Sequence, residues 1–264
     1  MPATDPAAAP DDAALLEEAA LAAGEIARRH FGTGPECWDK GDGQGPVTEA
    51  DLEIDAMLRD MLTAARPDYG WLSEESPDGP ERLERRRVFV VDPIDGTRAF
   101  IAGETSFSHA LAVVEDGVPK AAAIHLPMKD RMYVAARGHG ATRDGRTIAP
   151  SGRDGWDGAR VLGAKANFHP DRWRGGRPPV KAGFVPSLAY RLALVAEGQF
   201  DAMLTLRPSW EWDIASGALI VAEAGGAVHD RRGAALRFNN AHPQVDGVVA
   251  GTPSVQAAMI AGLA

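Results

Sequence analysis

Val88-Phe89-Val90-Val91-Asp92-Pro93-Ile94-Asp95-Gly96-Thr97 is the stretch on which the reading of the fold turns. Its first four residues form a continuous apolar run, the pattern of a strand covered on both faces. Two carboxylates three residues apart then leave the buried strand end together. Hard cations such as Mg²⁺ take carboxylate oxygens. Pro93 restricts the backbone between the two acids. Gly96 permits a turn that lets amides approach an anion, and Thr97 adds a hydroxyl. The same residues also suit a plainer reading, an Asp-Pro turn followed by an Asp-Gly turn at a strand end.

Downstream, Phe107–Val114, Pro119–Leu126 and Arg131–Ala136 read as three more strands, with Glu115-Asp116-Gly117 as a tight turn. The spacing predicts an antiparallel meander. Upstream, Gly70–Leu72 reads as a strand, and Arg85-Arg86-Arg87 as a solvated turn before the decisive strand. Asp11 or Asp12 can cap a helix running to about Phe31, with Leu15, Ala19, Ala22, Ala23 and Ile26 as its buried stripe. The glycines between residues 32 and 46 read as a mobile loop. Thr48 caps a second helix, with Asp51 in a capping-box-like position. Leu52, Ile54, Leu58, Met61 and Leu62 supply its apolar side, and Pro67 stops it.

A Gly/Asp/Ser-rich segment at 150–157 divides the chain into an α+β unit over 12–150 and an α/β unit over 151–264, with a disordered terminus at 1–11. The second unit reads as strand Arg160–Ala164, a basic loop with Arg172, Arg174, Arg177 and Lys181, helix Ser187–Gly198, strand Phe200–Leu206 and helix Asp213–Glu223. Gly225-Gly226 closes that last helix. Val228 and Val248–Ala250 complete a second sheet.

Lys and Arg number 28 against 37 Asp and Glu, a net charge of −9. That field argues against a nucleic-acid polymer or an anionic membrane as partner. A small anionic substrate remains open where bound cations reverse the sign locally. Cys37 is the one cysteine, so neither an intrachain disulfide nor a cysteine-based zinc site can form. It reads as a plain thiol, in a reducing, cytoplasmic compartment. The start of the chain has no basic, apolar leader pattern, and no run of about 18 apolar residues suggests a membrane span. The seven histidines are scattered without metal-ligand spacing and read as structural or surface groups.

Further acids join Asp92 and Asp95. Ser73-Glu74-Glu75-Ser76 follows a strand, although adjacent like charges there could simply be solvated. Asp213 opens an apolar helix, where an N-cap is the simplest role. Asp51 by itself suits a helix first turn. Together the four clusters are the parts that a multi-metal phosphoryl-transfer site needs.

The chain resembles the inositol monophosphatase superfamily of Mg²⁺-dependent, lithium-sensitive phosphomonoesterases. The resemblance rests on Asp92-Pro93-Ile94-Asp95-Gly96-Thr97 with Phe100, and on Trp212-Asp213-Ile214-Ala215-Ser216-Gly217 with Glu223-Ala224-Gly225-Gly226. Glu74-Glu75-Ser76 and Thr48-Glu49-Ala50-Asp51 match in order as well. It implies a layered αβαβα sandwich, α+β then α/β, of the inositol monophosphatase/fructose-1,6-bisphosphatase type, commonly a homodimer.

The resemblance further implies two to three Mg²⁺ ions per site. Glu74, Asp92 and the Ile94 carbonyl would hold the first; Asp92, Asp95 and Asp213 the second; Glu74 a third. Asp51 and Thr97 would orient and deprotonate the attacking water. The amides of Gly96 and Thr97 would cradle phosphate, with Arg98 and Lys40 on the substrate side.

Arg98 and Leu194-Val195-Ala196-Glu197-Gly198-Gln199 are similar to the 3′(2′),5′-bisphosphate nucleotidase branch. Leu206 stands where inositol phosphatases place an acid for the ring. The substrate so implied is 3′-phosphoadenosine 5′-phosphate. Inositol-1-phosphate, histidinol phosphate or another small phosphomonoester is the alternative, and a non-catalytic phosphate-binding protein is a different class. Pro186 and Leu188 depart from the family's pattern beside the alcohol-side pocket.

Overall fold

The computed structural model describes residues 8–41 and 45–264. Helix α1 (Ala8–His30) is followed by a short hairpin, β1 (Cys37–Asp39) and β2 (Pro46–Thr48), and by α2 (Glu49–Ala65). The hairpin replaces the loop expected over 32–46, of which Gly43 lies outside the described residues. The disorder expected over 1–11 does not extend to residues 8–11, which are the first turn of α1. Asp12 is therefore no cap. It is buried and accepts from Arg66 and Tyr69. Leu16 and Ala20 lie at the centre of the buried stripe of α1, where the expectation had Leu15, and Leu52 of α2 is exposed.

A seven-stranded sheet comes next: β3 (Gly70–Ser73), β4 (Arg87–Asp95), β5 (Ser108–Glu115), β6 (Val118–Leu126), β7 (Arg131–Ala136), β8 (Ala141–Arg143) and β9 (Arg146–Thr147), paired in that order. From β4 onward the pairing is antiparallel. Asp116-Gly117 takes positive φ at both residues, the tight turn that suits a right-twisted hairpin. β3 instead runs parallel to β4. β4 is also longer than the apolar run suggested and carries Asp92 and Asp95 within it. The arginines before it are engaged: Arg86 with Glu115, and Arg87 with Tyr69 and Glu115.

The continuous apolar character of β4 and β5 follows from burial on both faces. Phe89, Val91, Leu111 and Val113 pack in the core under α1 and α2. Val88, Val90, Ala110 and Ala112 pack on the other side. Their partners there are α4 (Leu188–Ala196) and α5 (Ala215–Glu223), which carry Leu192 and Leu219 into the same core. Short α3 (Thr97–Ile101) follows β4 directly.

Beyond α4 and α5 lies a five-stranded sheet. It contains β10 (Arg160–Leu162), β11 (Lys181–Gly183), β12 (Ala202–Thr205), β14 (Ala227–His229) and β16 (Val248–Gly251), in the order β11-β10-β12-β16-β14. β13 (Ser209–Trp210) pairs with β15 (Gln244–Val245) beside it. Helix α6 (Pro253–Gly262) covers its outer face through Val255 and Met259. The layers are thus helices, sheet, helices, sheet, helix. No helix among the described residues is long and apolar enough to cross a membrane.

Candidate active site

Four elements end at one cavity of about 1240 Å³ between the two sheets. The end of β3 delivers Glu74, whose amide donates to the Val91 carbonyl. β4 delivers Asp92, Ile94 and Asp95. Gly96, at φ 103°, turns the chain into α3 and so places Thr97 at the cavity wall. The approach to α5 delivers Asp213.

Glu74, Asp92 and Asp213 each offer a carboxylate oxygen, and the three lie within 4.8 Å of one another. Asp92 is 1% exposed, and its Oδ1 has no hydrogen-bond partner among the described residues. Burial, then the charges of Glu74, Asp95 and Asp213, push its carboxyl well above the usual range. Burial, then Asp95 and Glu74, do the same to Asp213, against the pull of Arg207. Asp213 is not an N-cap, because Ile214 holds that position.

Asp95 lines the same cavity but is already engaged. Its Oδ2 accepts from Ser187 Oγ, the residue that caps α4, and from the Ala189 amide in the first turn of α4, each at 2.6 Å. Burial nevertheless raises it to about 6.

Asp51 does two jobs with its two oxygens. Oδ2 completes the capping box with Thr48, accepting from its amide at 2.8 Å and its hydroxyl at 2.5 Å. Oδ1 faces Thr97 Oγ1 at 3.3 Å. Thr97 Oγ1 also lies 3.1 Å from the Ile94 carbonyl. Burial raises Asp51 to about 6.

The β1–β2 hairpin brings in the one ammonium of the cluster. Lys40 Nζ donates to Glu74 and Glu75 at 2.7 Å each. Glu75, raised to about 7 by burial and by Glu74, is thus a neighbour of the cluster rather than a solvated acid. Lys40 pairs with Glu74 and Glu75, and among the described residues no salt bridge reaches Asp92, Asp95 or Asp213. A buried, orphaned carboxylate oxygen beside two more carboxylates is the donor set that a hard divalent cation takes. The residues present fit Mg²⁺.

The rest of the wall is different in kind. Leu206 lines it, as do Pro186 and Leu188. Of the basic loop, Arg172 reaches the cavity; Arg174, Arg177 and Lys181 do not line it. Arg98 is exposed at the rim, its guanidinium against Gly45. Arg191, Arg207, Trp210 and His242 also face the cavity, and none was singled out from sequence. Trp210 stacks on Trp212 at 4.8 Å with an interplanar angle of 8°, and His242 tilts against Trp210 at 5.5 Å. Arg207 is adjacent to Leu206 in sequence.

The sequence pattern described as the inositol monophosphatase family matches residues 10–264. An inositol-1-monophosphatase of Mesorhizobium japonicum is 31% identical over 260 residues, 93% of each chain. A 3′(2′),5′-bisphosphate nucleotidase of Aggregatibacter actinomycetemcomitans is 32% identical over 209 residues, 74% of this chain and 75% of that one. The solved structure of a Thermotoga maritima inositol monophosphatase superposes with a TM-score of 0.78 at 28% identity, over 95% of this chain and 94% of that one.

Proposed function

The chain belongs to the inositol monophosphatase family of phosphatases, and from that premise we propose that it is a Mg²⁺-dependent phosphomonoesterase whose substrate is 3′-phosphoadenosine 5′-phosphate. In this reading Glu74, Asp92, the Ile94 carbonyl, Asp95 and Asp213 hold two to three Mg²⁺ ions. Bound Mg²⁺ supplies neutralisation of the phosphate oxygens and a more acidic water.

The chain's own groups do the rest. The amides of Gly96 and Thr97, at the start of α3, have no partner one turn earlier in the helix and are free to donate to phosphate. Thr97 Oγ1 takes the water's proton as its own proton passes to Asp51 Oδ1. A carboxylate held at about 6 matches a base that works near neutral pH. Lys40 offsets charge at Glu74 and Glu75. The same reading makes the protein a cytoplasmic homodimer, divided near residues 150–157, and inhibited by Li⁺.

The substrate proposal rests on that remaining part of the wall. Leu206 offers no acceptor to a polyol hydroxyl, and hydroxyls left unpaired in a closed site lose affinity. Arg207 offers a charge-assisted bond to a second anion, and Trp210 offers a face to a planar base. One such charge-assisted contact contributes about 1.5–3 kcal/mol, roughly tenfold or more in specificity. The test is kcat/KM for 3′-phosphoadenosine 5′-phosphate, inositol-1-phosphate and histidinol phosphate at fixed Mg²⁺ and salt. The bisphosphate is expected to lead. A lead for either of the others overturns the substrate proposal and leaves the metal site as it stands.

A further inference from the structure

The ladder between β4 and β5 loses register inside the acid motif. Asp92 pairs with Ala110 and Asp95 with Ser108, so Pro93 and Ile94 together face one residue, His109. Two residues against one is a β-bulge, a device that re-aims side chains beside active sites. Backbone polar groups buried in a bulge still need partners. Pro93 has no N–H, so its carbonyl is the group to be satisfied.

His109 satisfies it from across the strand. Its Nδ1 lies 2.5 Å from the Pro93 oxygen. A carbonyl can only accept, so Nδ1 carries the proton and Nε2 of the neutral ring is bare. That Nε2 is buried with no partner among the described residues. The ring is fully buried on the face of the sheet that carries α1 and α2. Phe107 lies 6.3 Å from it and His125 5.9 Å. His125, opposite on β6, is itself tied to the Ala20 carbonyl of α1. His109 is not among the residues lining the cavity, and its side-chain bond is to β4, so it acts there by positioning.

We propose that His109 is a positioning residue for the acid cluster: its Nδ1–H holds the Pro93 carbonyl on the helix side of the bulge and thereby aims the flanking Asp92 carboxylate and Ile94 carbonyl into the cavity. The inference rests on the reading of those two groups as Mg²⁺ ligands. Without the ring donor, the Pro93 peptide rotates toward another partner, and the groups on either side rotate with it. Outer partners that orient metal ligands typically change affinity by about 10–100-fold when removed.

The test is Mg²⁺ titration by isothermal calorimetry on the full-length wild type, His109→Leu and His109→Asn. Leucine fills space without a donor, whereas asparagine places an N–H at the position of Nδ1. His109→Leu is expected to bind Mg²⁺ about tenfold more weakly or worse, and His109→Asn to stay close to the wild type. Equal affinity in all three overturns this inference alone. Equal weakening in both variants also overturns it, because the ring's volume would then matter and its bond would not. A wild type that binds no Mg²⁺ overturns the metal reading and this inference with it. If His109→Leu does not fold, ¹⁵N shifts of labelled histidines in the wild type decide: the Nδ1–H tautomer at His109 is expected, and the Nε2–H tautomer overturns the clamp.

Discussion

On one part of the cavity wall, Glu74, Asp92 and Asp213 bring three carboxylate oxygens within 4.8 Å of one another, on residues fixed by strand pairing and a helix approach. Elsewhere on the same wall are Arg207, on the turn after β12, and Trp210, in β13, beside Leu206. In the proposed reading, the acidic group is the one that holds the cation. In the proposed reading, the cationic and aromatic group meets whatever the phosphate is attached to. The two groups come from different elements, so substitutions in each can be tested one at a time.

Asp92→Asn is expected to have the largest effect. Loss of metal-borne charge stabilisation, several kcal/mol, corresponds to roughly 10³-fold or more in kcat/KM. Its unfolding midpoint in EDTA should be no lower than the wild type's, because one of the mutually repelling buried acids is gone. Near-normal turnover at millimolar Mg²⁺ would break the comparison at its acidic group. Thr97→Ala comes next, with kcat lower by about 10²–10⁴-fold, the range for proton transfer by a positioned group. The Mg²⁺-induced rise in Tm should be unchanged. A parallel loss of Mg²⁺ response would make Thr97 part of the cation site instead.

Arg207→Gln sharpens the comparison from the other group. It should lower kcat/KM for 3′-phosphoadenosine 5′-phosphate about tenfold, the worth of one charge-assisted bond, with the Mg²⁺ response intact. Loss of both would show that Arg207 serves the acids rather than the leaving group.

The smallest effect is on pH. Asp51 and Asp95 are raised to about 6 and Glu75 to about 7, from ordinary values near 4. The metal-free folded state therefore binds more protons than the unfolded state between about pH 4 and 7. The stabilising contribution of these acids is full below pH 4 and is lost as pH rises through 6 to 7. Mg²⁺ needs the deprotonated forms, so its stabilisation should grow over the same window. Calorimetric Tm with and without Mg²⁺ should differ more at pH 8 than at pH 5.5. His109, held near 3 by burial, makes the opposite contribution as pH falls below 6.5, but it does so with and without Mg²⁺ and drops out of the difference. Equal shifts at both pH values would contradict the reading.

The same two groups explain what could be read before the structure. The β4 motif is contiguous, and its residue types have few other uses at the end of an apolar run. α2, the β5–β7 strands and α4 follow from local capping, turn and burial patterns. The bulge at Pro93 was not legible, because it is defined by the register of β5 and by a histidine sixteen residues away. Nor was the parallel β3–β4 pair, which is set by tertiary packing rather than by a turn. Arg207 and Trp210 come from one segment and His242 from another, each unremarkable by itself. Lys40 reads as a substrate-side residue of a mobile loop; its contacts with Glu74 and Glu75 depend on the β1–β2 hairpin, which the glycines do not reveal.

Phosphate release from 3′-phosphoadenosine 5′-phosphate by the wild type, before and after removal of divalent cations with EDTA and then with Mg²⁺ restored, tests the central claim most directly. Release that stops on chelation and returns with Mg²⁺ is the predicted result. Release that continues undiminished in EDTA would contradict the assignment of Glu74, Asp92 and Asp213 to a catalytic metal site.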